Sequence, residues 1–386
     1  MELYYYTSTD TMRYVLTGGN IFATNIRYMN DSQEYINGLK ELYNLSQNEN
    51  LVREWIKQEQ LDENLWNKLQ NVFTSQNLEE NKQEMEYYSI SFCKKNDLLS
   101  QWAIYAKESG VSIKMNFEEQ ERVYNFFTNS DDEKSDNKNN DDNKKKAEWN
   151  LFPKEVYYFT YDAMSNQGME EQYKEVAYKI LNQLYGTKSS LDAEEFKNEA
   201  WRYTSAFVKQ YDFYQEEECR LVFEPNASAY LPKIQYRSDK KVLKPYLDIK
   251  CEKGWPIWEI MVGPGFNQQV VFDSVEHFLN HAKVKIGLKS PKDYVKRIKG
   301  YLNPYINKLE QCNEYKELRD WSDQIDWESE EYSEDDVVSF CNQKLKEIVD
   351  IVINDSVYKN IKQYFEDHHF TRSGVVLTRS SIPYIF

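Results

Sequence analysis

Glu216, Glu218 and Arg220 stand at alternate positions and are the strongest candidates for chemistry in this chain. In an extended segment alternate side chains point to one face, so the two carboxylates and the guanidinium would converge on the same space. Converging charges beside aromatic strands are typical of a site for a small molecule. The alternative is that the glutamates are solvated turn residues and that Arg220 forms a salt bridge with one of them.

A second candidate group lies near the start of the chain. Tyr5 and Thr7 alternate in the first predicted strand, and Asn30, Asp31 and Glu34 follow in a polar turn. These two segments remain once other chemistries are set aside. The sequence has no P-loop, no G-x-G-x-x-G turn, no G-x-S-x-G elbow and no cysteine with a recognisable histidine partner, which disfavours ATPases, kinases, Rossmann enzymes and nucleophilic hydrolases.

His277 and His281 are four residues apart and could ligate zinc from one helix face. The protease form of this motif needs a glutamate directly after the first histidine, and Phe278 stands there. No third ligand is obvious. We therefore favour a plain surface pair and predict no metal.

The net charge of −16 disfavours general DNA binding, because an acidic surface repels phosphate backbones. A local basic pocket for one nucleotide stays compatible with it. No apolar run approaches the roughly 18 residues of a membrane span, and the N-terminus has no signal-peptide pattern. The 5 cysteines are odd in number and dispersed, as in reduced cytosolic proteins, so we expect a cytoplasmic location.

The elements that must position the candidate residues alternate between strands and helices. A strand at Leu3–Thr7, a helix that buries Met12, Val15 and Leu16, and a strand at Ile21–Thr24 open the chain. A long helical stretch is predicted over 32–75. Further strands are predicted at 88–92, 111–117, 156–161, 219–223, 230–236, 257–262 and 284–286.

We expect an α+β fold with a mixed, mainly antiparallel sheet and a long helical insertion. Its predicted parts are an N-terminal part of the core (1–128), a disordered charged loop (129–147), a C-terminal part of the core (148–287), the helical insertion (288–370) and a closing strand (371–386). The loop consists almost wholly of Asp, Asn, Lys, Ser and Glu and cannot bury a core.

Seven short motifs occur in one order along nearly the whole chain outside the insertion. They are L-Y-x-Y-T-S at Leu3–Ser8, G-x-I-F at Gly19–Phe22, N-D-x-x-E at Asn30–Glu34, S-F at Ser91–Phe92, L-x-x-W-x-x-Y-A at Leu99–Ala106, E-x-E-x-R at Glu216–Arg220 and S-x-I-P-Y at Ser380–Tyr384. In this order the chain resembles a bacterial domain-of-unknown-function family, family 2971. That resemblance implies no activity by itself.

The opening strand, helix, glycine and strand more distantly resemble the start of ADP-ribosyltransferase folds. Those folds often carry H-x-T on the first strand, S-x-S on a later element, and E-x-E or a single Glu near the end. The resemblance puts Tyr5 at the His place, Thr7 at the Thr place, Ser91 in the middle motif, and Glu218 or Glu216 in the last. Tyr5 departs from the pattern, which implies either a different contact with the ribose or lost activity.

The resemblance implies NAD as substrate, with Glu218 stabilising positive charge on the ribose when the nicotinamide bond breaks. Tyr5, Tyr28 or Trp102 could stack on nicotinamide, and Arg27 or Arg220 could hold the diphosphate. For Trp102 core packing is favoured over direct contact. Asn30 and Asp31 are further candidates for the nucleotide site.

Our leading hypothesis is an NAD-dependent transferase or glycohydrolase, of the kind that acts as a toxin or anti-phage effector. The alternative is a non-catalytic module that senses a nucleotide or binds a protein through the acidic, Trp-containing insertion. A nucleic-acid-modifying enzyme would need a basic groove that the composition does not indicate.

Overall fold

The computed structural model of this chain describes residues 1–29, 33–83, 87–107, 110–118, 120–126, 146–162, 170–186, 194–225, 231–239, 242–252, 254–287, 309–310, 313–324, 340, 343–344, 347, 368–371, 373 and 375–382. It divides into two compact units. The first comprises Met1–Asn20, Cys93–Glu119 and Cys251–Phe386, and the second comprises Ile21–Phe92 and Gln120–Lys250. These units cut across the ranges predicted from the sequence.

Helices and strands alternate along the chain. The helices are α1 (Thr9–Gly18), α2 (Glu34–Ser46), α3 (Glu49–Gln58), α4 (Leu65–Val72), α5 (Ser75–Gln83), α6 (Leu99–Tyr105), α7 (Glu170–Gly186), α8 (Glu194–Ser205), α9 (Gln268–His281) and α10 (Asn313–Gln324), with 3₁₀ helices at Ile26–Tyr28 and Tyr211–Glu216. The strands are β1 (Glu2–Thr7), β2 (Asn20–Asn25), β3 (Tyr88–Cys93), β4 (Val111–Asn116), β5 (Glu121–Phe126), β6 (Lys146–Leu151), β7 (Lys154–Glu155), β8 (Tyr157–Tyr158), β9 (Val208–Lys209), β10 (Glu218–Phe223), β11 (Ile234–Asp239), β12 (Val242–Cys251), β13 (Ile257–Val262), β14 (His369–Phe370) and β15 (Val376–Arg379).

The first unit begins as the sequence predicts. Ser8 caps α1 by accepting a hydrogen bond from the Thr11 N–H at 3.2 Å, and Gly19 ends the helix in the left-handed region with φ of 74°. Its strands follow the order β14-β15-β13-β4-β1. The pairs are antiparallel except β13 with β15, which run parallel.

The second unit has the strand order β10-β3-β2-β12-β5-β6, with β7 on β10 and β11 on β12. A separate parallel pair, β8 with β9, stands apart from that order. Its core packs apolar faces of α2, α3, α4, α7 and α8 and includes the large buried side chains of Trp55, Phe73 and Trp201. The fold class is thus mixed α+β with a mostly antiparallel sheet, as predicted.

The predicted helical stretch over 32–75 is divided into separate helices. Asn48 starts a new helix by accepting a hydrogen bond from the Leu51 N–H at 3.1 Å, and Gln60, with φ of 54°, follows the end of α3. The stretch therefore forms α2, α3, α4 and the start of α5. These breaks let three short amphipathic helices turn their apolar faces to one core.

Several strand predictions also differ from the structure. Over 156–161 only Tyr157 and Tyr158 form a strand, and 284–286 forms none. Residues 129–145 of the predicted loop lie outside the described residues, and Lys146 and Ala147 begin β6. Most of the predicted insertion lies outside them as well. None of the described helices is long and apolar enough to cross a membrane.

Candidate functional site

Five charged side chains of the second unit pack against one another and form an ionic cluster: Glu34, Lys209, Glu216, Glu218 and Arg220. Four of them are buried, whereas Glu216 lies at the margin with 16% of its side chain exposed. Removing a charge from water is costly unless opposite charges and hydrogen bonds replace the water. The contacts inside the cluster therefore determine what it can do.

Arg220 lies at the centre of the cluster and is 1% exposed. Its Nε donates to Glu218 Oε1 at 2.7 Å and its Nη2 to Glu218 Oε2 at 2.8 Å, which is the bidentate arrangement of a guanidinium and a carboxylate. Nη2 also donates to Glu34, and Nη1 donates to the backbone oxygen of Ala206 at 2.7 Å. The salt bridge between Arg220 and a neighbouring glutamate, which was the alternative to a ligand contact, is thus present.

Lys209 supplies the second positive charge. Its Nζ lies 2.7 Å from Glu216 Oε2, 3.2 Å from Glu218 Oε2 and 3.3 Å from Glu34 Oε2. The ammonium also lies 5.0 Å from the centre of the Phe213 ring. One ammonium therefore contacts all three carboxylates of the cluster.

The pKa values of the two glutamates of the E-x-E motif are shifted in opposite directions. Burial acts to raise the pKa of Glu218, but Arg220 and Lys209 outweigh it and hold that pKa at about 2. For Glu216 burial is the stronger influence, so its pKa is raised despite Lys209. The cluster thus holds one carboxylate that stays ionised and one that keeps a proton more readily.

The convergence of Glu216 and Glu218 is present, but the predicted reason for it is wrong. Glu216 ends the 3₁₀ helix Tyr211–Glu216, and Glu217 adopts a left-handed conformation with φ of 40°. The chain is therefore a tight turn, not an extended strand, between the two glutamates. Simple alternation places Glu218 and Arg220 on one face of β10.

A close backbone approach brings Glu34 to this strand. Glu34 is the first residue of α2, and Gly38 lies one turn later. A side chain at Gly38 would meet the backbone oxygens of Ser205 and Val208 at 2.7 and 2.9 Å. The glycine thus lets α2 lie directly against the segment that carries Ala206 and Lys209.

Ser91 on β3 also acts on Glu218, because β3 pairs with β10. Its hydroxyl helps to lower the pKa of Glu218. The Ser91 oxygen is buried, yet it makes no hydrogen bond of normal geometry with the residues that the structure describes. A buried hydroxyl in this state is a ready partner for water or a ligand.

Aromatic side chains border the cluster. The Glu218 N–H donates to the hydroxyl of Tyr158 at 2.6 Å. Burial and then the charge of Glu218 raise the pKa of Tyr158, so it stays a neutral phenol. Tyr211 and Tyr214 stack with ring centres 5.2 Å apart in the 3₁₀ helix that leads to Glu216.

Three predicted nucleotide-binding residues belong to the first unit. Tyr5 is half-buried and Thr7 buried in β1, opposite Ile113 and Val111 of β4. Trp102 is 2% exposed, and its ring meets Tyr6 edge to face at 4.8 Å. Since Glu216, Glu218 and Arg220 belong to the second unit, the predicted pocket combining all of these residues stays a prediction.

The structure assigns Trp102 to packing. Its Nε1 donates to Asp97 Oδ1 at 2.8 Å, and its ring lies where a side chain on Gly263 would stand, at 2.8 Å. This is the core-packing alternative favoured from the sequence. The indole face is therefore used inside the first unit instead of being presented to a ligand.

The remaining candidates precede α2 in the sequence. Arg27 is exposed and Tyr28 half-buried in the 3₁₀ helix Ile26–Tyr28 of the second unit. Asn30 and Asp31 lie outside the described residues.

His277 and His281 stack with ring centres 4.2 Å apart on exposed positions of α9. In the part of the chain that the structure describes, no three His, Cys, Asp or Glu side chains are grouped to hold a metal.

Sequence reasoning missed Lys209. A single lysine in a two-residue strand has no motif, and its exposure and partners depend on residues brought in by β8, α2 and β10. Glu34 stood in the second candidate group, with the N-D-x-x-E turn, but no partner was predicted for it. Its link to Arg220 could not be read from spacing.

The chain finds no match among protein-family models, curated proteins or solved structures. Any function assigned to the ionic cluster therefore depends on its own geometry and on the motifs in the sequence.

Proposed function

We propose that this chain is an NAD-consuming enzyme, an ADP-ribosyltransferase or NAD glycohydrolase, with Glu218 and Glu216 as its catalytic carboxylates. The proposal includes an ADP-ribosyltransferase-like form of the α+β fold. One observation carries it: the carboxylate of Glu218 is buried and kept ionised beside Ser91, whose hydroxyl helps to lower its pKa. These residues belong to the E-x-E and S-x-S motifs that the resemblance assigns to one site.

The proposed chemistry uses the opposite pKa shifts of the two glutamates. The bond between ribose C1′ and the nicotinamide nitrogen breaks, and its electron pair leaves with nicotinamide. The positive charge that builds on the sugar is stabilised by ionised Glu218. An acceptor oxygen then bonds to C1′, and its proton passes to Glu216, whose raised pKa suits a general base.

The other nucleotide contacts stay part of the proposal. Tyr5 and Tyr28 are proposed to stack on the rings of NAD, and Arg27 to hold the diphosphate. Arg220 is better suited to orient Glu218, because its donors already serve Glu218, Glu34 and Ala206.

Turnover and binding of NAD by the purified full chain test the proposal. Nicotinamide release measures cleavage, and the shift of the thermal midpoint with added NAD measures binding. We expect Glu218→Gln to lower nicotinamide release about 100-fold or more, the usual effect of removing one group that stabilises a developing charge. Glu175→Gln is the matched control, since that glutamate forms an exposed pair with Lys179.

The proposal fails if wild-type protein releases no nicotinamide and Glu218→Gln leaves NAD binding unchanged. A second candidate function, a non-catalytic nucleotide sensor, is favoured by the bidentate contact of Arg220, which already engages both oxygens of Glu218. For a sensor, NAD or a related nucleotide would raise the thermal midpoint of the full chain and be recovered unchanged.

A further inference from the structure

Lys209 and Arg220, the two cations of the cluster, contact different sets of carboxylates. Arg220 contacts Glu218 and Glu34, whereas Lys209 also contacts Glu216, its nearest carboxylate at 2.7 Å. An ammonium has three donors, and the three carboxylates around Nζ match that number. The Lys209 side chain is 6% exposed, so water replaces little of this contact.

We propose that Lys209 is a positioning residue, which ties Glu216 to Glu218 and favours the ionised form of Glu216. The cluster holds three carboxylates and two cations, so one negative charge is left over when all five groups are ionised. A proton on one carboxylate removes that excess. Among the described contacts, Glu218 meets both cations and Glu216 meets Lys209, so Lys209 is the cation that opposes this proton on Glu216 and leaves it able to accept one.

The groups that face Lys209 come from four elements. They are Glu34 of α2, Glu216 of the 3₁₀ helix, Glu218 and Arg220 of β10, and the neutral hydroxyl of Tyr158 on β8 beside Glu218. Burial lowers the pKa of Lys209, but Glu218 and Glu34 outweigh it and raise that pKa. Lys209 therefore stays charged at every pH at which the glutamates titrate.

The backbone fixes the ammonium in place. Lys209 lies in β9, which pairs in parallel with β8, and its backbone oxygen accepts a hydrogen bond from the Phe159 N–H at 2.8 Å. The 3₁₀ helix that follows returns the chain to Glu216, seven residues later. A bulkier guanidinium has a planar set of donors and cannot reproduce three separate contacts from this point.

The decisive experiment combines a double-mutant cycle with a pH series on the full chain. Lys209→Met, Glu216→Gln and the double variant are compared by urea unfolding and by thermal midpoint from pH 4 to 8. We expect the double variant to be clearly more stable than the sum of the single effects predicts, because each change removes the partner of the other. Lys179→Met is the control for loss of an exposed lysine.

The direction of the pH effect separates positioning from simple stabilisation. Without Lys209, Glu216 keeps its proton to higher pH, because it loses an adjacent opposite charge. The decline in thermal midpoint from Glu216 starts near the ordinary carboxyl pKa of 4.5, where the unfolded chain ionises, and ends at the folded pKa, so it should continue to higher pH in Lys209→Met and be absent in Glu216→Gln. Additive effects, or a uniform loss of stability at every pH, would overturn the proposal.

This role of Lys209 acts on the proposed reaction, but its test does not need turnover. If NAD is never cleaved, the proposed function fails while the cycle and pH series still decide the role of Lys209. If NAD is cleaved, the acid side of the rate profile should move with the same variants. If Lys209→Met does not fold, Lys209→Arg and the double variant replace it in the comparison. Lys209→Arg should keep the pH dependence of the thermal midpoint and lose part of the coupling energy with Glu216.

Discussion

Arg220 donates through Nη2 to Glu34, a residue 186 positions earlier in the chain. The contact joins the N-D-x-x-E turn to the E-x-E-x-R strand, the two segments that the sequence alone marks as candidates. Both side chains are buried, so neither charge could be left without the other. The ion pair thus makes the cluster part of the folding core of the second unit.

Replacing Arg220 with lysine should destabilise the protein by about 3 kcal/mol, the low end for breaking a buried ion pair. The charge is kept, but one ammonium cannot serve Glu218, Glu34 and the Ala206 oxygen together. Urea unfolding at constant m-value measures the change. Arg122→Lys is the control, because its pair with Glu148 is exposed and should contribute less than about 1 kcal/mol. Equal effects of the two substitutions would contradict the buried network.

Acid should weaken the protein through Glu218. Its folded-state pKa of about 2 is below the ordinary value of 4.5, so its contribution is complete above pH 4.5 and is lost as pH falls toward 2. The size of this contribution is about 3 kcal/mol by linkage. Unfolding free energies measured from pH 6 downward should fall more steeply in wild type than in Glu218→Gln. Parallel curves would show that Glu218 is not held ionised.

Glycine 38 should not tolerate a methyl group. The added carbon of Gly38→Ala would lie 2.7 and 2.9 Å from two backbone oxygens, which cannot move as a side chain could. We expect a loss of about 1–3 kcal/mol from overpacking. Gly18→Ala, where the nearest atom is 3.5 Å away at the end of α1, should be neutral or stabilising. Chemical unfolding of both variants checks this, and a neutral Gly38→Ala would contradict the close approach of α2.

Trp102→Phe should lower stability and leave NAD binding unchanged. The substitution removes the indole donor to Asp97, whose carboxylate also accepts from Ser380 and from the backbone and hydroxyl of Ser381. A lost buried hydrogen bond costs about 1–3 kcal/mol. Thermal unfolding with and without NAD measures both effects, and Tyr105→Phe on the exposed side of α6 is the control. Loss of NAD binding alone would restore Trp102 as a ligand contact.

Local signals predicted the parts of the fold that depend on neighbours in the sequence. The Ser8 cap, the Gly19 terminus and the buried face of α1 follow from residues a few positions apart. The stretch over 32–75 is mostly helical as predicted, but its division was not predicted, because its apolar pattern continues while Asn48 and Gln60 break the backbone. Apolar periodicity indicates which face is buried and is less informative about where one helix stops and the next begins.

The sequence by itself determined which charges are present, that Glu218 and Arg220 share a strand face, and that the chain mixes helices with mostly antiparallel strands. Only the tertiary structure decided that Lys209 and Glu34 join them and that a turn, not a strand, brings in Glu216. The physical reason is that alternation acts over two residues, whereas these contacts need α2 to approach the 205–208 segment through Gly38. Packing between elements far apart in the chain therefore converts a short charged motif into a buried cluster of three carboxylates and two cations.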